Sequence, residues 1–110
     1  MTPLISRDEL AAALGSVTVV EALGPMYYEA EHLPGAINVP HTEVDALAPS
    51  LLPDKHAAIV TYCSNPQCQN SEVAARRLIA LGYTNVRKYA EGKDDWREAG
   101  LALEGAGVPA

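Results

Sequence analysis

Two rhythms of apolar and polar positions run along the chain, one of helical period and one of continuous apolar stretches bounded by turn residues. Ser6-Arg7-Asp8-Glu9 is a capping box, with serine at the cap and glutamate three residues on, and Leu10, Ala13 and Leu14 recur at helical spacing until Gly15. This predicts a short first helix. Val17 to Leu23, between Gly15-Ser16 and Gly24-Pro25, predicts a strand buried on both faces. Pro25 suits a first helical position, so Met26 to Glu31 predicts a brief helix that His32-Leu33-Pro34-Gly35 ends in a turn. Ala36 to Val39 reads as a short strand closed by Pro40. Thr42 is placed to cap a helix carrying Val44, Leu47 and Leu51, its length limited by Pro49 and Pro53.

A second continuous apolar strand, Ala57 to Tyr62, runs straight into the polar loop Cys63-Ser64-Asn65-Pro66-Gln67-Cys68-Gln69-Asn70-Ser71. Asn70 or Ser71 can cap the helix that follows, in which Ala74, Ala75, Leu78 and Ile79 share a face and Gly82 supplies the stop. Val86 to Tyr89 predicts a last strand and Asp94 to Ala99 a last short helix around Trp96, with a Gly/Ala/Pro tail after Leu103. Strands alternating with helical segments imply parallel β-α-β units and the α/β class, in which ligands bind outside the carboxyl ends of strands. Cys63 stands at such an end.

At 110 residues the chain is read as one domain, and 48% apolar with 20% charged residues predicts a packed core that needs no disulfide staples. A net charge of -6, with no basic run longer than two residues, disfavours nucleic acid and anionic membrane as partners. No leader pattern opens the sequence at Met1 to Leu10 and no run approaches transmembrane length, so the expected location is cytoplasmic. The oligomeric state is not legible. A reducing compartment would keep Cys63 and Cys68 as thiols, which makes them candidates for chemistry.

A free cysteine has a pKa near 8.5, and the thiolate is the form that attacks, so a reactive Cys63 needs a stabilised anion. The loop up to Ser71 holds no charged side chain. The stabilisers left are the backbone amides of Ser64, Asn65, Gln67, Cys68 and Gln69 and the positive end of the following helix, which predict a lowered thiol pKa. The competing reading of Cys63 is a small buried hydrophobe at a strand end.

Three segments carry a family resemblance. Glu31-His32-Leu33-Pro34-Gly35-Ala36-Ile37-Asn38-Val39-Pro40, Val60-Thr61-Tyr62-Cys63 with Ser71 and Ala74-Ala75, and Leu81-Gly82-Tyr83-Thr84-Asn85-Val86 continuing through Glu91-Gly92, Trp96 and Gly100-Leu101 resemble the rhodanese family over nearly the whole chain. The resemblance implies a five-stranded parallel sheet with helices on both faces. It also implies a sulfurtransferase in which Cys63 takes a sulfane sulfur from thiosulfate or a persulfide donor and yields it to cyanide or a thiol, small or borne on a protein. No metal or organic cofactor is required.

Three departures from the family pattern stand out. Glu21-Ala22-Leu23 replaces the common Asp-x-Arg and removes a guanidinium that can brace the site, which weakens the expectation of efficient thiosulfate use. The loop is about two residues longer than in compact members, and Gln69 stands where the related phosphatase branch carries its arginine, so ester hydrolysis is disfavoured. Cys68 has no counterpart in the minimal loop. It is a possible resolving thiol, and the alternative to a sulfurtransferase is a non-catalytic or redox-sensing module using a Cys63-Cys68 pair. Zinc is disfavoured because His32, His41 and His56 lack paired spacing. His32 is expected to stabilise its turn, Arg76 and Arg77 to complement the helix dipole, and Trp96 to anchor packing, while Tyr27 and Tyr28 are left between lining the site and packing.

Overall fold

Four strands, β1 (Thr18–Glu21), β2 (Ile37–Asn38), β3 (Ile59–Tyr62) and β4 (Val86–Tyr89), pair in parallel in the order β2-β1-β3-β4, in a computed structural model that describes residues 2–108. Five helices accompany them: α1 (Arg7–Ala13), α2 (Pro25–Ala30), α3 (Val44–Leu51), α4 (Asn70–Ala80) and α5 (Gly92–Glu98). On one face of the sheet, Val44 and Ala48 of α3 and Ala74, Ala75 and Leu78 of α4 bury Val20, Ile59 and Val86. On the other, Leu10 of α1 and Trp96 of α5 cover Val19, Val60, Tyr62 and Tyr89. Burial on both faces explains why β1 and β3 are apolar runs rather than alternating ones. The class is α/β with helices on both faces, as expected.

The expected fifth strand is reduced to a single bridge between Leu4 and Lys88. Ile5 N–H donates to the Lys88 carbonyl at 3.0 Å and Lys88 N–H to the Pro3 carbonyl at 2.8 Å. Pro3 has no N–H to extend that ladder, and Ser6 already caps α1 through a complete capping box, so the extended run is cut from both sides.

Other boundaries shift for local reasons. Glu43 rather than Thr42 is the N-cap of α3, without a side-chain bond, and Pro49 lies inside that helix, which runs two residues past it. Gln69, not Asn70 or Ser71, is the N-cap of α4. The Ser71 hydroxyl is engaged elsewhere, at the sulfur of Cys63. Helix α5 begins at Gly92, and the segment after Leu103 is an ordered crossing rather than a loose tail: His32 and Glu104 exchange main-chain bonds of 2.8 and 2.9 Å, and Ala106 and Gly107 donate to Glu29 and Ala30 at 2.8 Å each. No helix among the described residues is long and apolar enough to cross a membrane.

Candidate active site

The site forms where β3 hands over to α4. Thr61 turns toward α4, its hydroxyl donating to the Ser71 carbonyl at 3.0 Å. Alternation along the strand then sends Tyr62 to the opposite face and Cys63 back to the α4 side. The Cys63 thiol is 1% exposed and has two acceptors for its proton, the Cys68 carbonyl and the Ser71 Oγ, each at 3.4 Å. Both cysteines are free.

Asn65 shapes the loop. Its side-chain oxygen accepts from Gln67 N–H and its carbonyl from Cys68 N–H, both at 3.1 Å, an Asx turn in which Pro66 stands at the bend. Of the five amides expected to cradle the sulfur, those of Gln67 and Cys68 are therefore engaged within the loop. Those of Ser64, Asn65 and Gln69 hold no acceptor among the described residues. The floor of the loop is the start of α5: Lys93 N–H donates to the Cys63 carbonyl and Asp94 N–H to the Ser64 carbonyl, both at 2.8 Å. Gly92 makes this approach possible. With φ at +77°, a Cβ there would meet Asn65 N and Ser64 C at 2.7 Å and the Cys63 carbonyl at 2.8 Å.

The electrostatics of this arrangement differ from the expected anion cradle. Burial pushes the Cys63 thiol up, with the Cys68 side chain adding to the rise and Ser71 opposing it. Desolvation is the largest cause, and the loop does not offset it: at Cys68 it presents a carbonyl to the sulfur rather than an N–H, and a carbonyl favours the protonated form. Since only the thiolate reacts, modification of Cys63 gains with rising pH. Its rate with iodoacetamide, read peptide by peptide, is expected to be still climbing at about pH 9, beyond the ordinary cysteine midpoint near 8.5. A plateau reached by about pH 7 would mean that the amides face the sulfur in solution.

Beside the loop lies an open groove of ≈ 380 Å³ walled by Asn65, Pro66, Gln67 and the acidic residues Glu91, Asp94, Asp95 and Glu98. Arg97 pairs with Asp94 and Glu31, and Arg7 with Asp95, which leaves Glu91 and Glu98 without a cationic partner among the described residues.

On the opposite face of β3 stands a polar cluster that sequence reasoning missed. Glu21, wholly buried, accepts from the Tyr62 hydroxyl at 2.7 Å and from the Lys93 ammonium at 3.0 Å, and its second oxygen has no partner among the described residues. Tyr62 also accepts from Leu33 N–H at 3.0 Å. Burial and the Glu21 charge hold the Tyr62 hydroxyl far above the usual tyrosine range. One signal was present, a glutamate inside an apolar run, where a buried charge requires a partner. Nothing local marked Lys93 as that partner.

The remaining candidates have structural partners. His32 stacks on Tyr28 at 3.9 Å and its Nδ1 meets the Tyr28 carbonyl at 2.7 Å, while Tyr28 OH donates to the Ala36 carbonyl at 2.6 Å. Arg76 pairs with Glu72 and Arg77 with Asp45, and Tyr27 is exposed. Among the described residues no group of three or more His, Cys, Asp or Glu is placed to hold a metal.

Comparison with known proteins agrees with this architecture. The family model for the rhodanese-like domain matches residues 6–99. The chain is 37% identical over 107 residues to an HTH-type transcriptional regulator of Mycobacterium tuberculosis, covering 94% of the chain and 46% of that protein. It is 36% identical over 70 residues to the thiosulfate sulfurtransferase PspE of Escherichia coli, covering 64% of the chain and 65% of that protein. The matches thus span less than two thirds of each curated relative. Among solved structures, the BH2092 protein of Bacillus halodurans superposes with a TM-score of 0.87 at 24% identity, over 98% of this chain and 82% of that one, and shows the shared fold. The human single-domain sulfurtransferase TSTD1 superposes with a TM-score of 0.75 at 25% identity, over 89% of this chain and 97% of that one. With its parallel sheet, its Cys63 loop over the start of α4 and a family match across most of its length, the chain belongs to the rhodanese-like domain family.

Proposed function

We propose that this domain is a sulfurtransferase that carries a sulfane sulfur on Cys63. The observation that carries the reading is the position of the thiol: buried at the carboxyl end of β3 and within reach of the Ser71 hydroxyl in the first turn of α4. The likeness to PspE, itself a thiosulfate sulfurtransferase, supports the same chemistry.

In the proposed reaction the Cys63 thiolate attacks the outer sulfur of thiosulfate. The S–S bond to the sulfonate breaks, sulfite leaves, and Cys63 holds a persulfide. An acceptor thiolate or cyanide then takes the outer sulfur, giving the acceptor persulfide or thiocyanate and returning the Cys63 thiolate. With a persulfide donor, a thiolate leaves in place of sulfite. The Cys68 carbonyl has to turn from the sulfur when the anion forms, because its lone pair faces the site of the charge; the same rotation brings the Gln69 N–H inward as a donor. The acidic wall of the groove opposes a dianion, and we read the preferred donor as a persulfide rather than thiosulfate.

A second reading has one observation in its favour: the bond from the Cys63 thiol to the Cys68 carbonyl brings the two residues together. Under a peroxide oxidant, Cys63 would become a sulfenic acid with release of water, and Cys68 would displace a second water to close a disulfide.

Intact mass of the reduced protein, measured after brief exposure to thiosulfate and separately to a persulfide donor, tests the proposal. A gain of about 32 mass units is expected in the wild type, faster with the persulfide donor, kept in Cys68→Ser and absent from Cys63→Ser. No gain with either donor, while Cys63 still alkylates, would overturn it in favour of the redox module.

A further inference from the structure

Lys93 sits where a lysine is seldom found, 5% exposed, against a carboxylate that is wholly buried. Its ammonium has three N–H bonds to donate and three acceptors in place: Glu21 Oε1 at 3.0 Å, the Tyr27 carbonyl at 3.1 Å and the Glu31 carbonyl at 2.6 Å. Two of these belong to the carboxyl end of α2, where a cation complements the helix dipole. The third lies on β1, at the position paired in register with Tyr62. The side chain is thus fixed from every direction it can donate in. The same residue's main-chain N–H holds the Cys63 carbonyl, and the next holds that of Ser64.

Stability alone does not account for this pair. A buried ion pair pays a desolvation cost that its attraction offsets poorly, and apolar residues of the same volume usually hold a fold as well or better. What apolar residues cannot supply is a fixed point with three directional bonds. We propose that Lys93 is a positioning residue: anchored to Glu21 and α2 on one face of the sheet, it holds the root of the Cys63 loop in place on the other. The cation enters from α5 and the carboxylate from β1, so the pair ties the two elements across the end of the sheet. For its consequence in catalysis the inference rests on Cys63 being the sulfur carrier; for the placement of the loop it does not.

The test uses the full chain and the double variant Glu21→Gln with Lys93→Met, which removes both charges together and leaves a Gln carbonyl to accept from Tyr62. Three readings are taken: iodoacetamide modification of Cys63 by peptide mapping, amide hydrogen exchange, and sulfur loading. The expected result is Cys63 modified at least fivefold faster, the Asp94 and Cys68 amides exchanging at least fivefold faster, and the amides of Val20, Val60 and Val86 unchanged. Sulfur loading should fall about tenfold in the same variant, opposite in sign to the gain in alkylation. A Cys63 alkylation rate within twofold of wild type would overturn the proposal. So would exchange that rises evenly across the strands, since the pair would then hold the fold rather than the loop.

Should the double variant fail to fold, Lys93→Arg keeps a cation beside Glu21 but cannot meet three acceptors arranged around an ammonium. It is expected to raise Cys63 alkylation at least twofold, and a wild-type rate would overturn the proposal equally. If the wild type itself takes up no sulfur, the transfer reading fails, while alkylation and exchange still decide the role of Lys93.

Discussion

Replacing Gly92 by alanine is expected to cost about 3–5 kcal/mol of stability, and to slow sulfur loading at least a hundredfold in whatever fraction remains folded. Two penalties combine. A non-glycine residue held at φ +77° costs about 1–3 kcal/mol. The added methyl would stand 2.7–2.8 Å from three main-chain atoms of Cys63, Ser64 and Asn65, so backbone has to move by roughly half an ångström or more. Part of that movement falls on the loop that carries Cys63, the proposed sulfur carrier, which is why rate should suffer more than folding. Urea melts and loading kinetics on the one variant measure both. Wild-type values for stability and rate together would show that the loop does not rest on α5 as closely as 2.8 Å bonds from Lys93 and Asp94 require.

Trp96→Ala should be the most damaging change away from the loop, about 3–5 kcal/mol and a melting temperature lower by roughly 15 °C or more. Trp96 is 1% exposed, meets Tyr89 edge-to-face at 6.0 Å and donates its Nε1–H to the Ala102 carbonyl at 2.9 Å. The alanine variant empties the space between α5 and β4 and frees the segment that α5 leads into. Trp96→Phe separates the two contributions: it retains most of the packing and loses the hydrogen bond, so a cost of about 1–2 kcal/mol is expected. If alanine at this position costs under about 1 kcal/mol, α5 is not held by its tryptophan and the floor of the loop has another anchor.

The elements that short-range chemistry determines were legible in the sequence. The capping box at Ser6, the apolar runs into Glu21 and Tyr62, and the Ala74-Ala75-Leu78 face of α4 each specify their own geometry, and the structure has all of them. The four strands of the sheet follow from residues. The fifth followed only from family likeness, and Pro3 with the cap at Ser6 reduces it to a bridge. At the site, the strand-end position of Cys63 was legible from the run that precedes it.

The direction of peptides in the loop was not, because a carbonyl and an amide swap places on a small backbone rotation that no residue type announces. Nor was the depth of burial at the strand end, which is the main reason that an expected lowered thiol pKa gave way to a raised one. Lys93 was invisible for a different reason. Its partners stand 72 residues away at Glu21 and 62 away at Glu31, and only the folded topology brings them together.

The polar cluster and the sulfur lie on opposite faces of one sheet and are joined through the main chain of a few residues at its carboxyl end. For a protein under mutation, such separation divides labour between two sets of positions. Changes among Ser64 to Gln69 can redraw what the loop accepts without disturbing a buried charge, and changes around Glu21 can retune how firmly the loop is held without touching a donor. On the proposed transfer reading, a lineage can therefore explore new sulfur donors one loop substitution at a time and keep its fold. A designer seeking altered specificity has the same freedom, provided Gly92 and Lys93 are left alone.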